Sequence, residues 1–152
     1  VADIRDMIFS PDGQELVLAR GDVVEFYNLR DSAAVTKMLR GHQIRGVFGL
    51  TFSHDGQDLA TTSSDGKVRV WRVSTGDVAL SIPRDTASNV ANNTAFLPDG
   101  TVLAVGDGVS IRRFVLSTGR NSSPLAPVTQ RPSSLCRSLR MDSSLQGSSD
   151  FH

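Results

Sequence analysis

Three copies of one phrase run through the chain: IFSPDGQELVLA at residues 8–19, TFSHDGQDLATT at 51–62 and AFLPDGTVLAVG at 95–106. Phe9, Phe52 and Phe96 mark the same place in each, 43 and 44 residues apart. A second phrase follows the first at a fixed interval. KVRVWRVSTGD at 67–77 is answered by SIRRFVLSTGR at 110–120, and VVEFYNLRDSA at 23–33 is a looser version. A period of this length means stacked copies of one supersecondary unit, each burying its apolar face on the next. The repeat therefore limits the fold to an array.

Within one period the pattern is that of short strands. Val47, Leu50 and Phe52 lead into Ser53-His54-Asp55-Gly56, and Leu59 and Thr61 follow it. Asp-Gly suits a tight turn because glycine accepts positive φ without a Cβ clash. Ser64-Asp65-Gly66 makes the next turn, and Val68 and Val70 then alternate with Arg69 and Trp71 as on a two-faced strand. Ser74-Thr75-Gly76-Asp77 turns once more before Val78–Ile82. No segment carries a capped apolar stripe of helical period. The expected fold is all-β, a partial β-propeller of about three four-stranded antiparallel blades near residues 1–40, 41–83 and 84–120.

On these residues the chain resembles the WD-repeat family of β-propellers. Gly41-His42 opens a repeat, Val47-x-x-Leu50-x-Phe52-Ser53 matches its first strand, and Asp65 through Trp71 match its third. The resemblance covers about residues 1–120. Only the middle repeat is complete: Tyr27 and Phe114 stand where Trp71 falls, and neither outer repeat has the histidine. The resemblance implies a hydrogen-bonded network of His42, Thr61, Asp65 and Trp71 inside the middle blade.

A hydroxyl, an imidazole and a carboxylate are also the ingredients of a nucleophilic triad. Catalysis needs an exposed nucleophile, an oxyanion hole and a cleft. Thr61 is expected within a strand, with neither a Gly-x-Ser-x-Gly elbow nor a helix N-terminus to supply donors. A buried imidazole and carboxylate must find partners. Asp65 can accept from His42 Nδ1–H, His42 Nε2 can accept the Thr61 hydroxyl proton, and Trp71 can donate to that hydroxyl. The expected role is structural, with no catalytic residue. Gly106-Asp107-Gly108 lacks the Gly-Lys-Ser/Thr of a phosphate loop. His54 stands where the other repeats have Pro11 and Pro98, and Asp12, Asp55 and Asp99 belong to separate turns. No metal and no cofactor are expected.

The 152 residues carry 16 basic and 16 acidic side chains, so net charge gives no footprint for nucleic acid or an anionic membrane. Cys136 is the only cysteine, which excludes an internal disulfide. No apolar run reaches membrane-spanning length. There is no leader-like start and no initiator Met, so the expectation is a cytoplasmic chain, a fragment of a longer protein. After residue 120 the sequence turns rich in Ser and Pro. Pro124 and Pro127 lack the N–H a ladder needs, and residues 121–152 read as a disordered tail.

Three blades leave two faces without neighbours, against the 4–8 blades of a closed propeller. A longer parent propeller, self-association of copies to complete the ring, and an open arc all meet that condition. The function expected is a non-catalytic protein-interaction scaffold with protein partners. The alternative is the sensing propeller of a multidomain kinase or NTPase whose catalytic domain lies elsewhere. One rim should gather Arg20-Gly21-Asp22, Gln43-Ile44-Arg45, Lys67, Pro83-Arg84-Asp85 and Asp107. Arg20, Arg45, Lys67 and Arg84 are its candidate binding residues, because loops on a rigid scaffold carry function and Arg is enriched in hot spots.

Overall fold

The structure, a computed structural model, describes residues 2–30, 34–43, 46–83, 93–107, 110–118 and 120–122. They form three four-stranded antiparallel sheets, each built from four strands consecutive in the chain. The first holds β1 (Ile4–Phe9), β2 (Glu15–Arg20), β3 (Val23–Asn28) and β4 (Val35–Arg40). The second holds β5 (Val47–Phe52), β6 (Asp58–Ser63), β7 (Lys67–Arg72) and β8 (Val78–Pro83). The third holds β9 (Thr94–Phe96), β10 (Val102–Asp107), β11 (Ser110–Val115) and β12 (Arg120–Ser122). This is the all-β, blade-by-blade architecture expected from the repeat.

The Asp-Gly turns work as the residues dictate. Ser53 Oγ donates to Asp55 Oδ1 at 2.6 Å, and Asp55 Oδ1 also accepts the Gln57 N–H at 3.1 Å. Gly56 takes a φ of 71°, the left-handed value that closes the turn. The first blade repeats the device: Asp12 Oδ1 accepts from Ser10 Oγ and from the Gln14 N–H. Asp99 accepts from the backbone and hydroxyl of Thr101. Each of the three carboxylates is occupied within its own turn, and their pKa values are lowered, led by these bonds.

The core lies between the sheets, because alternate residues of a strand face opposite neighbours. Val17, Ala19, Val24, Phe26 and Leu39 of the first blade pack on Val47, Leu50, Leu59 and Trp71 of the second. Ala60, Val68, Val70 and Ile82, on the second blade's other face, pack on Leu103, Val105 and Phe114 of the third. Each blade thus has a leading face toward the preceding blade and a trailing face toward the next. The inner strands touch in series: the Leu50 N–H donates to Asp6 Oδ2 at 2.8 Å, and Thr51 Oγ1 donates to the Thr94 carbonyl at 2.9 Å.

The third sheet ends two residues beyond the boundary read from the sequence. Arg120, Asn121 and Ser122 pair with Val115, Phe114 and Arg113 as a short outer strand. Their strand propensity is low, but β11 offers an open ladder and Pro124 lies beyond the paired residues. The rest of the segment read as a tail, residues 123–152, lies outside the described residues.

Candidate functional site

The four residues singled out in the middle repeat converge on one point between the first and second blades. His42 comes from the connection after β4, Thr61 from β6, Asp65 from the β6–β7 turn and Trp71 from β7. His42 Nδ1 lies 3.0 Å from Asp65 Oδ2, and His42 Nε2 lies 2.7 Å from Thr61 Oγ1. Trp71 Nε1–H donates to the same Thr61 Oγ1 at 2.8 Å. With the imidazole proton on Nδ1, Asp65 accepts it, Thr61 donates to Nε2, and every polar atom of the set has a partner. Gly41 lets the connection lie flat on the indole: a Cβ there would stand 3.2 Å from Trp71 Cη2.

Arg69 completes the set, and motif reasoning passed over it. Its Nη1 donates to Asp65 Oδ2 at 2.9 Å, the same oxygen that accepts from His42 Nδ1–H. Register places Arg69 beside Thr61 on the leading face of its blade, two residues before Trp71. Alternation puts Arg69 on the face of Trp71, and once that face is known to be buried a cation there needs an anion. Asp65 Oδ2 also accepts the Gln43 N–H, and Asp65 Oδ1 accepts the Lys67 N–H. One carboxylate thereby ties the connection, the turn and β7 together.

Burial pushes the His42 imidazole below its ordinary pKa of 6.5; Asp65 draws it upward, while Arg69 and Lys67 push it down. Burial would raise the Asp65 carboxyl, but bonds from Arg69, Gln43 and His42 outweigh it and hold the group at about 2. Both shifts act in the same direction on stability. Below about pH 6.5 the unfolded chain takes up the His42 proton more readily than the folded one, so stability falls as pH falls. A second loss comes as pH drops from 3.8 toward about 2, through the Asp65 transition. The expected result is a Tm lower at pH 5 than at pH 7, with a flatter profile for His42→Gln. Thermal scans across that range by circular dichroism check it.

Nothing in this arrangement presents a nucleophile. Thr61 is fully buried, its oxygen already accepts from Trp71, and its proton is directed to His42. The outer blades carry different sets at the same positions. In the first, Glu25 accepts from the Tyr27 hydroxyl at 2.8 Å and pairs with Arg20 at 3.3 Å. In the third, Val105 and Phe114 replace the hydroxyl and the indole with apolar groups, so neither leaves an orphan.

The rim bearing the candidate binding residues is joined by backbone bonds. The Gly21 carbonyl in the β2–β3 turn accepts the Val47 N–H, and the Gly46 carbonyl accepts from Ser64 N–H and Ser63 Oγ. Lys67 is exposed at the start of β7, just past this chain of bonds. Arg20 belongs instead to the blade face, through its pair with Glu25. Arg45 and Arg84 lie outside the described residues. The structure adds a pair that the sequence did not indicate. The register shifts in β1 between Ile4 and Asp6 and in β5 between Val47 and Gly49. The skipped residues are Arg5 and Phe48, and the Arg5 guanidinium stacks 4.3 Å from the Phe48 ring centre.

The family model for the WD domain, G-beta repeat, matches residues 34–72, a span that holds all five residues of the network. The chain belongs to the WD-repeat family. This WD-repeat chain is 32% identical over 111 residues to WD repeat-containing protein 55 of Pongo abelii, covering 72% of this chain and 28% of that protein. It is 24% identical over 115 residues to WD repeat-containing protein 1 of Xenopus tropicalis, covering 75% of this chain and 19% of that one. A solved structure of U3-55K superposes with a TM-score of 0.71 over 82% of this chain and 39% of that chain, at 14% identity, a likeness of fold. The chain therefore spans less than a third of the length of either of these curated relatives. WD-repeat proteins generally act as non-catalytic scaffolds for protein–protein interaction.

Proposed function

We propose that this chain is a protein-binding scaffold whose contacts lie on the rim formed by the β2–β3 turn, the connection around Gly46 and the β6–β7 turn. The reading is carried by Arg5 and Phe48, set out of register by paired bulges on adjacent inner strands. Bulges re-aim side chains and recur beside functional sites. An exposed guanidinium stacked on an aromatic ring is a preformed element of the kind enriched at binding hot spots. Lys67 stands on the same rim. The partner expected is a protein segment carrying carboxylates, which Arg engages in bidentate fashion. The buried network contributes by fixing the rim: Asp65 anchors both the Gln43 connection and the Lys67 turn.

The test is charge reversal. Arg5→Glu combined with Lys67→Glu should leave the melting temperature within a few degrees of the parent, since surface substitutions generally change stability by no more than about 0.5 kcal/mol. The same variant should lose the protein partners that the parent chain captures from its own cell extract. Retention of the same partners by a folded double variant would contradict the assignment of the rim.

A further inference from the structure

The joint between the first and second blades holds a histidine among groups suited to only one ring proton. The His42 side chain is 1% exposed. In the neutral ring, Nδ1–H meets Asp65 Oδ2 and Nε2 accepts from Thr61 Oγ1. A second proton turns Nε2 into a donor as well. Thr61 Oγ1 then faces two donors, His42 Nε2–H and Trp71 Nε1–H, and must turn its own proton away. The Arg69 carbonyl can take it, but at 3.5 Å, the outer limit of a hydrogen bond.

The charge is met no better than the proton. Burial opposes a charged ring most strongly; Asp65 favours it, and Arg69 and Lys67 oppose it. Asp65 Oδ2 already holds the Arg69 guanidinium, so an imidazolium would share one carboxylate with a second buried cation. The remaining partners of the ring, Thr61 and Trp71, are neutral. Among the described residues, the first blade's buried side of this joint is Val17, Ala19, Val24, Phe26 and Leu39, all apolar. Asp65 is held at about 2, so it stays ionised throughout the histidine range.

The segment carrying His42 is also close to water, because Gly41 and Gln43 on either side are exposed. Among the described residues, three hydrogen bonds tie 41–43 to the second blade. They are His42 to Asp65, His42 to Thr61, and the Gln43 N–H to Asp65. All three end on the two groups that protonation disturbs. The ladders of β5 to β8 run without His42.

We propose that His42 is a proton-operated latch: a second ring proton releases residues 41–43 from Asp65 and from the Trp71 indole while the three sheets stay folded. Local opening draws on the least-bonded part of a structure, and histidine is the side chain that ordinarily titrates nearest neutrality. Asp65 also fixes the Lys67 turn, so release reaches the rim. That consequence rests on the proposed scaffold role, whereas the release itself does not.

Trp71 is the only tryptophan in the chain, with its ring 6.1 Å from that of His42 and Gly41 against its edge. Its emission therefore reports the latch alone. The experiment titrates the full chain from about pH 7.5 to about pH 4.5, which spans the ordinary histidine value. Histidine ring resonances, acrylamide quenching of the tryptophan and far-ultraviolet circular dichroism are followed together. The quenching constant should rise at least about twofold, in step with the His42 ring and before the dichroism changes, as local opening requires. His54→Gln, in an exposed turn, should keep that rise. His42→Gln should abolish it. A ring that stays neutral until the sheets unfold overturns the proposal. So does a quenching constant that does not move as the ring titrates, or a rise that persists in folded His42→Gln.

Discussion

Asp65→Ala is expected to lower the unfolding free energy by about 3–5 kcal/mol, the cost of removing one partner from a buried ion pair. Its side chain is 7% exposed, and those of His42 and Arg69 are 1% and 10% exposed. Alanine would leave the Arg69 guanidinium without its counter-charge and His42 Nδ1–H without an acceptor. The N–H groups of Gln43 and Lys67 would also lose their partner. Adding Arg69→Leu to Asp65→Ala should recover part of the loss, because the stranded cation goes with it and an apolar side chain suits the face shared with Leu59 and Trp71. Urea unfolding of the parent, the single and the double variant measures both. Against a typical total of about 5–15 kcal/mol, the single variant should be partly unfolded before much denaturant is added.

Trp71→Ala is expected to cost about 3–5 kcal/mol, the usual range for deleting a large aromatic side chain from a packed core. Trp71 is 2% exposed and lies in the cluster that joins the first and second blades, so the cavity would open at the joint itself. Trp71→Phe separates packing from hydrogen bonding. It keeps most of the ring but deprives Thr61 Oγ1 of the indole donor, and should cost about 1–2 kcal/mol. The third blade already uses Phe114 at this position, with Val105 where Thr61 would stand. Donor and acceptor are absent together there, which is why phenylalanine is tolerated. Thermal and urea unfolding of the two variants should rank them in that order.

The hairpins around the Asp-Gly turns were legible because the repeat supplied three independent readings of that turn. Gly13, Gly56 and Gly100, at one position of the period, all take left-handed φ values near 70°. The meeting of His42 with Thr61, Asp65 and Trp71 was legible through the resemblance and through the rule that buried polar groups must pair. Arg69 was hidden by its type: an arginine between two valines reads as an outward-facing strand residue unless the tryptophan two positions on is known to be buried. Arg5 and Phe48 were hidden for a different reason. A bulge is a property of pairing between two strands, and no single strand's composition announces it. The short β12 likewise owes its position to the ladder of β11, since Arg120, Asn121 and Ser122 carry little strand preference of their own.

The central claim is that the imidazole–carboxylate pair acts as a structural tie within the blade joint. A double-mutant cycle between His42→Ala and Asp65→Ala in urea tests it most directly. The account predicts a coupling of at least about 1 kcal/mol, within the range for residues of one hydrogen-bonded network. Additivity of the two substitutions within about 0.5 kcal/mol, the behaviour of independent sites, would contradict it.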